Sequence, residues 1–111
     1  MTFSFPKSIS NCVGTLITTI TGNITSDVFI IQLYPKTFSA LLMHGTGGDV
    51  QIQVSPDGIN GWTNLLSSPL SISSVTPCDY IQTSDTMIYF RAITSNFSPT
   101  DITNIYVSGC L

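Results

Sequence analysis

The sequence predicts an all-β fold: an antiparallel two-sheet sandwich, jelly-roll-like, with eight to nine strands. Three observations predict it. Helix formers are scarce, since glutamate is absent and alanine occurs only at Ala40 and Ala92. Isoleucine, valine and threonine together fill 35 of the 111 positions, and branching at Cβ favours extended backbone. Short runs of these residues alternate with turn residues at intervals of roughly 8–12, and no segment sustains a 3.6-residue period.

Taken in order, residues 1–12 read as an N-terminal arm or edge strand ahead of one domain over 13–111. Phe3 and Phe5 alternate with polar neighbours until Pro6. Exposed phenylalanines need a covering surface, so Phe3 and Phe5 are the candidate partner-binding residues. Cys12–Ile20 reads as a strand that ends at Thr21-Gly22-Asn23. Asp27–Tyr34 stops at Pro35-Lys36 and Thr37–His44 follows at once, which predicts a hairpin. Gly45-Thr46-Gly47-Gly48 closes that run.

Asp49–Ser55 is the clearest strand, with Val50, Ile52 and Val54 on one face and Gln51, Gln53 and Ser55 on the other. Trp62–Leu66 resumes after a turn at Pro56-Asp57-Gly58. Leu70–Val75 and Asp79–Thr83 follow. Thr86–Thr94 sets Ile88, Phe90 and Ala92 against Tyr89 and Arg91, and Asp101–Gly109 sets Ile105 and Val107 against Tyr106. The predicted core is Val50, Ile52, Val54, Ile88, Phe90, Ile105 and Val107.

Composition narrows function. Charged residues make up 8% of the chain, against about 25% in an average soluble domain. Net charge is -3, and only Lys7, Lys36 and Arg91 are positive. No basic stripe exists to neutralise phosphates or dock on anionic lipid, so neither nucleic acid nor membrane is an expected partner. The most apolar stretch, Phe29 to Met43, is broken by Pro35 and Lys36 and is no membrane span. The start, MTFSFPKSISNC, lacks the basic and apolar regions of a secretory signal. The expectation is a chain that stays in the cytoplasm of the cell that makes it, or leaves inside an assembled particle. Cys12, Cys78 and Cys110 are odd in number with no CxxC spacing, and they are expected to be thiols, with a Cys12–Cys110 bridge as the alternative.

The catalytic inventory is short. His44 is the single histidine, and it reads as a hydrogen-bonded turn residue. No nucleophile elbow, zinc-ligand spacing or P-loop occurs, and no motif pairs two carboxylates across a substrate. No catalytic residue, metal or cofactor is expected.

One segment stands out, from Val50 through Ser55-Pro-Asp57-Gly58 to Trp62 and Leu65. Asp57-Gly58 supplies the reversal and Trp62 folds back, either as a core plug or as an exposed aromatic in a ligand groove. This strand–Asp-Gly–Trp–strand pattern, with Ile88-Tyr-Phe-Arg-Ala-Ile93 and Ile102-Thr-Asn-Ile-Tyr-Val107, resembles the small β-sandwich virion proteins of tailed phages. These include head-decoration (cement) and tail accessory subunits. It also resembles discoidin-like binding sandwiches, although the chain is shorter than those domains.

The virion resemblance implies a non-enzymatic decoration subunit that bridges major capsid proteins, a homo-oligomer located in the virion. The sparse charge points the same way, because an exterior without charge favours being covered. The other resemblance implies a carbohydrate- or receptor-binding module with Trp62 and nearby tyrosines as stacking groups. A sandwich also leaves edge strands, and only Lys7, Lys36 and Arg91 could guard them with positive charge.

Overall fold

The computed structural model describes residues 14–65, 67 and 69–109. Nine strands form: β1 (Thr15–Thr21), β2 (Phe29–Ile30), β3 (Lys36–His44), β4 (Gly47–Ser55), β5 (Thr63–Asn64), β6 (Leu70–Ser73), β7 (Cys78–Thr83), β8 (Tyr89–Ser95) and β9 (Ile102–Gly109). They make two antiparallel sheets. The first has the order β1-β9-β3-β7, and the second the order β2-β8-β4-β5, with β6 also on β4.

β5 and β6 pair with successive stretches of β4, through Val54↔Thr63 and Val50↔Leu70, and so act as one broken strand. With that merger the chain alternates between the sheets in the order of a jelly roll, the double Greek key. The strand count, the antiparallel pairing and the two packed sheets match the sequence-based expectation.

Alternation explains the core. Val50, Ile52 and Val54 of β4, Phe90 and Ala92 of β8, Phe38 and Ala40 of β3, and Ile105 and Val107 of β9 are all buried between the sheets. Phe38 and Phe90 meet across the interior with ring centroids 4.8 Å apart and planes tilted by 50°, a favourable aromatic geometry. Of the predicted core residues, Ile88 alone is only half-buried. It lies just before β8, where its carbonyl accepts from Ile31 N at 2.8 Å.

Three expectations need correction. The hairpin between Asp27–Tyr34 and Thr37–His44 does not form, because Phe29 and Ile30 pair with Phe90 and Tyr89 of β8 in the second sheet. The chain then passes a cis Tyr34–Pro35 peptide and enters β3 in the first sheet. Phe29 decides the pairing: its side chain is buried in the shared core.

Lys36 guards no edge. It lies on β3 between β9 and β7, 2% exposed, and its Nζ donates to the Asp85 carbonyl at 2.9 Å. Nor is Arg91 on an edge, since β8 lies between β2 and β4.

Cysteine 78 is not a thiol. It is disulfide-bonded, and its partner lies outside the described residues. A bridge at Cys78 uses one of the two other cysteines and excludes the alternative Cys12–Cys110 pair within one chain. The N-terminal arm or edge strand over 1–12, with Phe3 and Phe5, also lies outside the described residues.

Candidate functional site

The Asp57-Gly58 reversal is built by two side chains. The Asp57 carboxylate Oδ1 accepts from Ile59 N and Asn60 N, both at 2.8 Å. These donors, Asn60 foremost, hold the Asp57 carboxyl below its ordinary value. Ser55, fully buried, accepts from Gly58 N at 3.0 Å and donates to Asn60 O at 2.5 Å. Gly58 has φ +78°, and a Cβ there would stand 2.8 Å from the Tyr89 ring. Glycine thus gives both the left-handed backbone and the room to rest on Tyr89.

Downstream of the turn, Trp62 does not enter the core. It is half-buried and lies outside the core cluster. The Arg91 guanidinium carbon sits 4.3 Å from its ring centroid. Since Phe90 and Ala92 point inward, Arg91 and Tyr89 belong to the outer face of the second sheet. The expectation of a Trp62 core plug gives way to a stack on that face.

Hydrogen bonds join the stack to its neighbours. Arg91 Nε donates to Gln53 Oε1 at 2.8 Å, and Gln53 Nε2 donates to Asn64 Oδ1 at 2.9 Å. The register makes this possible, because Gln53 is opposite Arg91 on one side and Asn64 on the other. The result is a polar row across three strands, from Asn64 to Arg91.

The apolar part of the face follows at the β2 edge. Ile30 is opposite Tyr89 and 63% exposed. Val28, Tyr34 and Met87 are exposed nearby along the chain on either side of that pairing. No alternating pattern marks this segment, because β2 is only two residues long and half its apolar residues face outward. Nothing in the sequence pattern of that segment singles out Ile30.

At the opposite end of the sandwich, the buried Asp101 ties two loops together. It accepts from Gly47 N and Ser98 N at 3.2 Å and from Thr46 N at 3.4 Å. Burial opposes the charge, but these donors outweigh it and the pKa lies below the ordinary value. His44, at the neighbouring end of β3, is exposed. Among the described residues, no three of His, Cys, Asp and Glu gather as a metal site.

No protein-family model, curated protein or solved structure matches the chain.

Proposed function

We propose that the chain is a non-enzymatic virion structural protein, a capsid decoration or cement subunit that bridges major capsid proteins. The observation that carries this reading is the exterior. Ile30, Met43, Ile59 and Val75 are each more than half exposed, on a chain with nine charged residues of 111. Leaving such a surface in water is unfavourable, and covering it with a neighbouring subunit recovers apolar burial.

The edges support the same reading. Among the described residues, neither Lys36 nor Arg91 stands on an edge strand, so neither places a positive charge on β2 that would block strand addition there. Jelly rolls occur in viral capsid and lectin domains alike, so the topology alone does not choose a role. Mass-spectrometric inventory of purified particles tests the reading. The chain should appear at fixed stoichiometry with the major capsid protein; its absence from particles refutes the proposal.

The Trp62–Arg91 stack favours a second reading, a carbohydrate- or receptor-binding module. An aromatic ring beside Gln53, Asn64 and Tyr89 offers both stacking and amide hydrogen bonds to sugar hydroxyls. A glycan array separates the readings: saturable binding that Trp62→Ala removes supports the second and not the first.

A further inference from the structure

We propose that the Trp62–Arg91 face binds an acidic glycan, with the carboxylate of a uronate or sialate unit seated on the Arg91 guanidinium. The proposal rests on the sugar-binding reading of that face and names its ligand class.

Arg91 is a cation without an anion. Lys36, the other described lysine or arginine, is buried and directs its ammonium to the Asp85 carbonyl. Among the described residues Arg91 makes one hydrogen bond, from Nε to Gln53 Oε1, and no ion pair. Two aspartates belong to β4 or the turn that follows it, and both are engaged. Asp49 lies four residues from Gln53 along β4, about 13 Å at 3.3 Å per residue. Its two oxygens accept from Ser71 Oγ at 2.8 Å and Asn96 Nδ2 at 2.7 Å. Asp57 turns its Oδ1 onto the backbone of its own turn. The terminal nitrogens of Arg91 therefore keep their hydrogens for an outside acceptor.

The fork is held ready. Stacking over Trp62, 4.3 Å from the ring centroid, and the Nε bond fix the guanidinium at two points. Little side-chain freedom is left to lose on binding. A guanidinium so held pairs bidentately with a planar carboxylate.

The groups beside the fork select a sugar acid over an apolar one. Gln53 and Asn64 continue the row on the adjacent strands, and Asn64 is exposed. Asn64 uses Oδ1 towards Gln53, which leaves its Nδ2 hydrogens for a hydroxyl. Strands about 4.8 Å apart place the Asn64 backbone about 10 Å from that of Arg91 across β4, a span that two linked sugar units cover. Trp62 adds an aromatic surface alongside.

Trp62 is the single tryptophan, so its emission reports on the face directly. The full chain is titrated with two acid–neutral pairs: trigalacturonate against its methyl ester, and sialyllactose against lactose. At least one acid should change the emission saturably and bind about tenfold more tightly than its neutral partner, and about 0.5 M salt should weaken it. Arg91→Lys should cost about tenfold in affinity, because an ammonium presents no fork. Isothermal titration calorimetry measures that loss independently of the Trp62 emission. Should Arg91→Lys fail to fold, the acid–neutral comparison on the wild type decides alone. Equal binding of acid and neutral partner overturns the carboxylate assignment and leaves sugar binding standing. Equal affinity for a tri-aspartate peptide overturns the sugar as the carrier of the carboxylate. Binding of none of the four sugars overturns the proposal, and the glycan array then decides the sugar-binding reading by itself.

Discussion

The Arg91 guanidinium carbon lies over the Trp62 ring, 4.3 Å from its centroid, and Gln53 holds it there through Nε. The pair couples β8 to the segment leading into β5 on the outside of the second sheet. Its energetic weight is that of a partly exposed cation–π contact, about 0.5–1 kcal/mol. Trp62→Ala should therefore destabilise by about 1–2 kcal/mol, well short of the 3–5 expected for a buried tryptophan. Urea unfolding measures it, and a loss of 3 kcal/mol or more would restore Trp62 to the core. Arg91→Lys should cost nearly as much as Arg91→Ala, because an ammonium cannot stack as a plane.

Lys36 makes stability rise with pH in the alkaline range. Burial lowers its pKa from 10.5, and the nearby Asp85 charge only partly offsets that. The folded state therefore releases its proton more readily than the unfolded chain. Between the lowered folded value and 10.5 the unfolded chain binds more protons, so stability climbs with pH and levels off above 10.5. Lys36→Met removes the titrating group. The stability of the wild type minus that of Lys36→Met should increase from pH 8 to pH 10.5. A difference independent of pH would show that the ammonium is effectively solvated.

Asp101 gives the opposite edge of the pH profile. Its carboxyl lies below its ordinary value of 3.8, so its stabilisation is present above that value and is lost as pH falls through the folded value. Asp101→Asn should lower Tm at pH 7, because its amide presents hydrogens where the carboxylate accepts from Thr46 or Gly47. The deficit should shrink at a pH well below 3.8, as the wild-type carboxyl is itself protonated. Differential scanning calorimetry at both pH values measures it, and an unchanged deficit would mean that the loops are held by shape rather than charge.

Much of the fold was legible because one face of most strands is dry. Val50, Ile52 and Val54 alternate with glutamines and a serine, and the alternation leaves one consistent choice of face. Pairing between sheets was not legible. Asp27–Tyr34 and Thr37–His44 are adjacent in sequence, but a chain that switches sheets at Tyr34–Pro35 leaves no local signature of the switch. Lys36 misled for a related reason. A lysine beside a proline reads as a solvated turn, whereas here its ammonium meets a carbonyl 49 residues away. Trp62 misled because its size favours burial, and Arg91 supplies a partial cover that a sequence pattern cannot reveal.

The apolar β2 edge predicts self-association or capture by a larger surface. Ile30 is 63% exposed and sits opposite Tyr89 on a strand of two residues. Exposed substitutions rarely change stability by more than about 0.5 kcal/mol, so Ile30→Lys should leave the unfolding midpoint almost unaltered. It should nevertheless weaken association, because lysine places a strongly hydrated charge on an edge strand whose two residues, Phe29 and Ile30, are both apolar. Val75→Lys is the control. Val75 is 89% exposed but lies in the turn between β6 and β7. Sedimentation velocity at low micromolar concentration should show an oligomer for the wild type and for Val75→Lys, and a shift to monomer for Ile30→Lys. Added major capsid protein should raise the Tm of the wild type by mass action and raise that of Ile30→Lys less. Three monomers with no response to capsid protein would remove the apolar edge as an interface and leave the sugar-binding reading of the Trp62 face as the better one.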